Sequence, residues 1–468
     1  MRKLYRSLFL TITFISLLIS CSVEKELESD PFVIAFNELS LNLQNISNEE
    51  DIMMVYSYPP VEDGSLVISI SDNIATYGVD YETNPAVIDG EITLAITKGE
   101  INNKIVFRKL NPNLSGENTF VKFKIINIDH INSNIQGYEE LIINSSASLG
   151  GNLEPEVGGP NQGNQVFIDL SSQKSTAVQR DTWDLGFYCG DEFRVGINGS
   201  IFMATKATNY TDIDSVPESV LLNMQSTVTV SNGDVENLNY VDGVNGSILE
   251  TAIDEISVTD SDNKVYLLNM GYEIGLYTPN IGSVDIQGPF RGWKKIRIIK
   301  NEDGYILQYA NLGDTTHQEI SITKDNMYNF IHFSFDTETT VEIEPKKADW
   351  DLCFTPFTNV ILDPPYGSYI FSDFVIHNRK GSVVSYVVGT NDFTYEDFTY
   401  NDIIEDNFSE DQTSIGGSWR NVFNRSVYND RFYIIKDSNN NIYKIKFLAM
   451  VNTNGVRGFP QFEYSILE

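Results

Sequence analysis

The chain has 468 residues, of which 65 are Asp or Glu and only 32 are Lys or Arg, so its formal net charge is −33. Such a surface repels phosphate backbones and anionic headgroups at ordinary salt, which argues against nucleic acid as a partner. Its cysteines are Cys21, Cys189 and Cys353, too few and too far apart for a disulfide scaffold, so stability must come from ordinary hydrophobic cores.

Residues 1–21 have the layout of a lipoprotein signal peptide. Three basic residues precede an apolar stretch over 8–18, and Ser20-Cys21 places a small residue before a thiol. The apolar stretch is shorter than the roughly 20 residues that a membrane span needs, so an uncleaved anchor helix is the weaker alternative. We expect cleavage before Cys21, a lipid on its thiol and a charged tether over 22–30. The prediction is an exported protein that its lipid holds in the outer membrane or at the cell surface.

The rest of the chain predicts an all-β fold with mainly antiparallel strands. Runs rich in Val, Ile, Phe, Tyr and Thr, such as 66–70 and 296–299, recur between Asn, Asp and Gly clusters, whereas helical periodicity is scarce. A stretch rich in Gly, Pro and Asn over 150–164 is predicted to be a flexible linker, because it has almost no large apolar residue to bury. A first domain, a β-sandwich, then covers 31–149.

Beyond the predicted linker one pattern occurs twice. A Phe-Ile-x-x-Ser run at 167–171 leads to Thr-Trp-Asp-Leu at 182–185, and a second such run at 330–334 leads to Asp-Trp-Asp-Leu at 349–352. Alignment of the two runs position by position puts His332 in the place of Asp169 and predicts a polar, solvent-facing histidine.

Both copies continue with hairpin-like segments, around 298–306 and 434–442. We therefore expect two related β domains, over 165–325 and 326–468, of which the first carries an insertion.

The Trp-Asp motifs are predicted to have a structural role. From Trp183 onward every second residue is apolar, so the indole faces a core while Asp184 caps a turn or pairs with an arginine. The same interpretation applies to Trp350 and Asp351.

The order of these motifs resembles the HmuY family, lipid-anchored β-rich proteins of Gram-negative cell surfaces whose characterised members capture haem. An Ala-Thr-Lys-Ala-Thr run at 204–208 and a Gly-Gly-Ser-Trp run at 416–419 extend the resemblance, which covers about 165–468. It implies two HmuY-like domains, haem or a haemoprotein as partner, and no catalysis.

The chain departs from the family in its potential haem ligands. Haem iron takes axial donors such as His or Met, but the interval 190–296 of the first copy has no histidine, and the corresponding interval of the second has only His377. His377 is therefore the candidate haem ligand, without a matched second donor. Met224 and Met270 are alternatives that equally suit a core.

The N-terminal domain is similar to Calx-β and related immunoglobulin-like sandwiches. The similarity is carried by the segments 77–81, 92–96, 98–100 and 138–141. Some such domains bind calcium through clustered carboxylates, and the candidate ligands here are Asp80, Glu100, Asp129 and Glu139. Solvated surface acids are the alternative interpretation.

Motifs of catalysis are missing from the sequence. It contains no Gly-x-Ser-x-Gly, His-Glu-x-x-His, Walker or Cys-x-x-Cys motif, which favours a binding protein over an enzyme. The acid pair Asp349 and Asp351 keeps an enzymatic function open. The sequence is also compatible with an adhesion protein whose β modules contact a surface glycan, and with repeats that serve only as spacers.

Overall fold

The computed structural model describes residues 31–114, 119–145, 147–230, 233–361 and 366–467. The predicted signal peptide, Cys21 and the tether over 22–30 lie outside these residues. Strands dominate and most pairs are antiparallel, which confirms the predicted all-β fold. Within the described part of the chain, no helix combines the length and the apolarity that crossing a bilayer requires.

The N-terminal domain is a sandwich of two five-stranded sheets, as the sequence predicts. Its strands are β1 (Phe32–Phe36), β2 (Ser40–Asn42), β3 (Glu49–Tyr56), β4 (Gly64–Asp72), β5 (Tyr81–Asn84), β6 (Glu91–Ile96), β7 (Asn102–Lys109), β8 (Phe120–Asp129), β9 (Ser133–Ile135) and β10 (Glu140–Asn144). The sheet orders are β5-β7-β3-β1-β9 and β2-β10-β8-β4-β6. Strict alternation of exposed and buried residues in β6 shows why the strands form two layers around one core.

The predicted flexible linker over 150–164 is wrong. Residues Gly150–Leu153 form β11, which pairs with the C-terminal strand of the chain, and Val157 is buried in the C-terminal core. A Cβ atom on Gly150 would lie only 2.2 Å from the Tyr464 carbonyl oxygen. The glycine here allows two backbones to approach closely, a use that composition alone does not distinguish from flexibility.

The first copy, residues 165–325, is mostly strands with one short helix, α1 (Glu218–Met224). Its strands are β12 (Asn164–Asp169), β13 (Lys174–Gln179), β14 (Leu185–Tyr188), β15 (Val195–Ile197), β16 (Ala204–Ala207), β17 (Val265–Asn269), β18 (Trp293–Lys300), β19 (Gly304–Ala310) and β20 (Gln318–Thr323).

The second copy, residues 326–468, contains ten further strands. They are β21 (Phe330–Ser334), β22 (Thr339–Val341), β23 (Leu352–Ile361), β24 (Gly367–His377), β25 (Val384–Gly389), β26 (Arg420–Asn421), β27 (Ser426–Val427), β28 (Arg431–Lys436), β29 (Ile442–Val451) and β30 (Arg457–Ile466). Short 3-10 turns connect the strands at Gly159–Asn161, Ile213–Ser215, Val235–Tyr240, Ile248–Glu250, Asp260–Asp262, Arg379–Gly381, Tyr400–Asp402 and Glu405–Asn407. The hairpins predicted around 298–306 and 434–442 are present as β18-β19 and β28-β29.

The two copies are separate along the chain but interleaved in space. Strand β12 of the first copy pairs with β23 of the second, and β21 of the second pairs with β14 of the first. Each copy therefore contributes its first strand to the sheet that contains the Trp-Asp-Leu segment of the other. This exchange differs from the two self-contained domains that the sequence predicts, because a repeat in sequence does not specify which copy a strand pairs with.

Two sandwiches result. In the first sandwich the sheet β15-β14-β21-β22 packs on β16-β17-β18-β19-β20, and in the second the sheet β13-β12-β23-β24 packs on β11-β30-β29-β28-β25. The other faces of the two exchanged sheets meet in a smaller apolar cluster that includes Phe167, Trp183, Trp350 and Cys353. We call this meeting place the junction.

Candidate functional site

The two Trp-Asp motifs lie in equivalent places, one in each sandwich. The backbone N–H of Asp184 donates to Phe333 O at 2.8 Å, and that of Asp351 donates to Ile168 O at 2.7 Å. The Asp184 carboxylate then accepts the Phe335 backbone N–H at 2.7 Å, and the Asp351 carboxylate accepts the Leu170 backbone N–H at 2.8 Å. Each Asp thus fixes the strand that comes from the other copy, which is a structural role.

The two carboxylates differ in their charge partners. Asp184 forms an ion pair with Arg291 at 2.6 Å, and both side chains are almost fully buried. For Asp351 the described residues provide no basic side chain within ion-pair distance. Burial therefore raises the pKa of Asp351 well above its usual range, and the nearby carboxylate of Asp169 adds to this effect.

A pair of buried asparagines holds the backbone of the two motifs. The side-chain amide of Asn198 donates to Trp183 O at 2.9 Å, and that of Asn378 donates to Trp350 O at 3.0 Å. Their backbone N–H groups donate to the carbonyl of the following Asp in each motif, at 3.0 and 2.9 Å. Sequence analysis missed this pair, although an Asn that follows the next strand after each Trp-Asp motif is a signal visible in both copies.

His332 and Phe167 are structural counterparts at the junction. His332 packs edge-on against Trp183 with ring centroids 4.6 Å apart, and Phe167 packs edge-on against Trp350 at 5.1 Å. The position-by-position alignment that put His332 in the place of Asp169 is therefore wrong by two residues. The predicted solvent-facing histidine is wrong as well, since His332 is 5% exposed and burial lowers its pKa to about 3.

A cavity of about 170 Å³ opens between the two exchanged sheets at the junction. Residues of both copies line it, among them Phe167, Trp183, Phe330, His332, Trp350 and His377. The cavity thus brings together both tryptophans of the repeated motif. The backbone of His377 reaches the cavity, but its side chain points into the core of the second sandwich, because it lies opposite Leu352 and contacts Ser385 of β25. Because its walls come from the two exchanged sheets, neither copy alone encloses it.

The indole N–H groups of the two tryptophans differ in their hydrogen bonding. Trp183 Nε1 donates to Gln165 Oε1 at 2.7 Å. The strand pairing puts Phe330 at the position equivalent to Gln165, and phenylalanine offers no acceptor. Trp350 Nε1 is consequently buried with no hydrogen-bond partner among the described residues.

His377 is also only partly satisfied. Its Nδ1 lies 3.0 Å from Ser385 Oγ and 3.3 Å from Ser414 Oγ. Its Nε2 is buried and lacks a partner within the described residues. Burial lowers the pKa of His377 to about 4, so the imidazole is neutral at pH 7, and its Nε2 is a donor or an acceptor according to the tautomer. Its counterpart in the first sandwich is Ile197, which also lines the cavity.

The cavity wall contains four charged residues that sequence analysis did not single out, namely Asp242, Glu344, Arg379 and Lys380. Burial raises the pKa of Glu344 to about 7 and that of Asp242 to about 6, and it lowers the pKa of Lys380 to about 8. Glu344 accepts the Phe330 backbone N–H at 2.7 Å, and Lys380 Nζ donates to a backbone carbonyl at 3.1 Å. No motif marks these residues in the sequence, because their proximity arises from the strand exchange.

The calcium candidates are not brought together. Among the described residues no three His, Cys, Asp or Glu side chains cluster in a way that could hold a metal ion. Asp80 and Glu100 lie near opposite ends of β7, and Glu139 lies 3.9 Å from Lys124. Asp129 ends β8 beside Ser65. The calcium hypothesis is therefore unsupported.

The other candidates from the sequence belong to cores or to the surface. Met270 is buried in the core of the first sandwich, and Met224 packs against a neighbouring cluster. Asp349 is exposed whereas Asp351 is buried, so these acids do not share one face as a catalytic pair would. Burial raises the pKa of the Cys189 thiol, which suits packing rather than nucleophilic attack.

Comparison with solved structures finds Calx domains over the N-terminal region. The Apo-form Calx CBD1 domain is 12% identical, with a TM-score of 0.20, and the match covers 25% of this chain and 97% of that chain. CBD12 from CALX1.2 is 9% identical, with a TM-score of 0.20, and the match covers 31% of this chain and 75% of that chain.

Comparison with curated proteins finds no match. The family model described as HmuY protein, in contrast, matches the chain twice, over residues 161–320 and 326–464. These two matches cover more than half of the chain and correspond to the two copies of the repeated pattern. The chain belongs to the HmuY family.

Proposed function

We propose that this chain is a lipid-anchored surface protein that captures haem or a related ligand without chemical conversion, and that the junction cavity is its ligand site. Membership of the HmuY family supports capture, since the family is associated with haem binding and not with catalysis. The single observation that carries the choice of site is a cavity lined by both motif tryptophans and by the buried imidazole of His332.

The lipid anchor rests on the sequence of residues 1–21. Incorporation of a radiolabelled fatty acid into the wild-type chain, and its loss in Cys21→Ala, is the expected result. Equal labelling of the two chains would contradict the anchor. Accessibility of the intact protein to protease added to whole cells then distinguishes the cell surface from the inner side of the outer membrane.

The residues at the junction fit haem only in part. His332 offers a neutral imidazole at the junction, which suits iron, whereas the neutral imidazole of His377 points into the second sandwich. The cavity of about 170 Å³, however, resembles in size a cavity of about 150 Å³ that binds benzene, and it is smaller than the roughly 300 to 1,000 Å³ of sites that enclose larger ligands. A whole porphyrin does not fit inside it in this structure. The size of the cavity therefore favours a ligand smaller than haem.

Titration of the purified chain with haemin tests the haem arm of the proposal. A Soret shift that saturates at a defined stoichiometry supports haem capture, and a featureless, non-saturating response removes haem. The matched variants His332→Phe and His377→Ile carry the residues that stand at the equivalent positions of the other sandwich. If either imidazole contacts iron, its variant alters the Soret band. The proposed function as a whole fails if neither haemin nor a ligand the size of one aromatic ring binds saturably.

A further inference from the structure

We infer that the junction cavity binds a small, neutral aromatic molecule that carries a hydroxyl group, a ligand of the phenol class. This inference rests on the proposed function and deepens it, because it names the chemical class that the cavity selects. Three features of the cavity carry it: the size and aromatic lining, a buried polar atom without a partner, and the charge of the wall.

The size and lining of the cavity suit one aromatic ring. Its volume of about 170 Å³ slightly exceeds the roughly 150 Å³ that accommodates benzene, so one six-membered ring with a few substituent atoms fits. The wall includes the aromatic rings of Phe167, Trp183, Phe330, Trp350 and Phe357. Edge-to-face and offset contacts with such rings favour an aromatic ligand over an aliphatic one of equal size.

One buried polar atom in the wall lacks a partner and points to a polar substituent on that ring. Trp350 is 6% exposed and its Nε1 has no acceptor in the described part of the chain. Trp183 demonstrates that the fold can satisfy the equivalent indole, through Gln165. The presence of Phe330 at the matching position instead leaves the Trp350 N–H available to a ligand.

A hydroxyl group matches this atom in chemistry. It accepts a hydrogen bond from an indole N–H, which can only donate. A buried polar atom without a partner is destabilising, so a ligand that satisfies it gains affinity over one that does not.

The charge of the wall disfavours an anion. Glu344 and Asp242 face the ammonium group of Lys380, and the other cation of the wall, Arg379, pairs with Glu410 at 3.2 Å. Lys380 Nζ also donates to the carbonyl of Gly246, so both cations already have partners. An anionic ring would therefore lose its hydration and compete with these partners for a cation. A phenol stays neutral at pH 7, since its pKa is about 10.

Isothermal titration of the purified full chain with phenol, toluene and benzoate tests the inference. Toluene replaces the hydroxyl with a methyl group, and benzoate replaces it with a charge. We expect saturable phenol binding that is about tenfold tighter than toluene binding, the effect of one net hydrogen bond, and weaker binding of benzoate. Equal affinities for phenol and toluene, tighter binding of benzoate, or no saturable phenol binding would each overturn the inference.

A matched variant identifies the atom that selects the hydroxyl. Phe330→Gln gives Trp350 Nε1 the acceptor that Gln165 gives Trp183. In this variant we expect the preference for phenol over toluene to fall to nearly one. His317→Ile is the control, because His317 lies outside the cavity and pairs with Asp214 at 3.0 Å. A preference that survives Phe330→Gln would overturn the assignment of this atom.

The failure of this inference is distinguishable from the failure of the proposed function. Saturable haemin binding without phenol binding retains capture and overturns the phenol class. Hydroxyl-dependent phenol binding without haemin binding supports the phenol class and removes haem. When neither ligand binds, both the ligand class and the junction as a capture site are overturned.

Discussion

His332 stands in the first sandwich where Phe167 stands in the second, and each ring meets a tryptophan edge-on at an interplanar angle of 79°. Each of these rings comes from the copy that does not supply its tryptophan. The correspondence shows that each first strand pairs with the Trp-Asp-Leu strand of the other copy in the same register. It also locates where the copies differ, since one uses an imidazole where the other uses a phenyl ring.

The exchange of rings makes a prediction about acid stability. His332 has a pKa of about 3 in the folded chain, below its unfolded value of about 6.5, so the unfolded chain binds the extra proton as pH falls. The stability contributed by the neutral imidazole is thus present above about pH 6.5 and is lost toward pH 3. In His332→Phe this loss disappears. When the pH is lowered from 8 to 5, we expect the free energy of unfolding of the variant to rise by about 2 kcal/mol relative to that of the wild type. Urea denaturation at both pH values measures the gain, and parallel pH profiles would contradict it.

The two motif aspartates make a second prediction, because only one has an arginine. Asp184→Asn leaves the buried Arg291 facing a neutral amide and should cost about 3 kcal/mol at pH 7. Asp351→Asn keeps an acceptor for the Leu170 backbone N–H and removes a carboxylate whose pKa burial raises, so it should be neutral or stabilising. Thermal or urea unfolding of both variants checks the contrast. Equal losses would show that the motifs do not differ as described.

The strand exchange makes a third prediction about fragments. A fragment that ends at residue 325 lacks β21 and leaves the edge of β14 unpaired, and a fragment that begins at 326 lacks β12 and exposes β23. Unpaired edges promote aggregation, so we expect neither fragment to fold alone. Their co-expression should give a soluble one-to-one complex, detectable by co-purification through a tag on one fragment. Cooperative unfolding of the 326–468 fragment alone would contradict the exchange.

Local patterns predicted the elements of this fold well. Alternation of apolar residues indicates the strands, and the hairpins around 298–306 and 434–442 are present. The error over 150–164 arises because glycine permits both flexibility and close backbone approach, and only the position of Tyr464 decides between them.

The candidate site depends on contacts that no local pattern contains. His332 is visible in the sequence as a lone histidine, but the tryptophan that it contacts in the cavity, Trp183, comes from the other copy. A slip of two residues keeps every side chain on the same face of its strand, and both faces of these buried strands are apolar. The Phe-Ile-x-x-Ser run therefore could not reveal the slip that misplaced His332. That Trp350 Nε1 has no acceptor becomes visible only when Phe330 and Gln165 are compared in the correct register.

The number of phenol molecules bound per chain decides whether the two copies build one shared ligand site. Calorimetric titration of the intact chain should give one site per chain, since a single cavity takes its walls from both exchanged sheets. Two equivalent sites per chain would mean that each copy holds a ligand by itself, and would contradict a shared site.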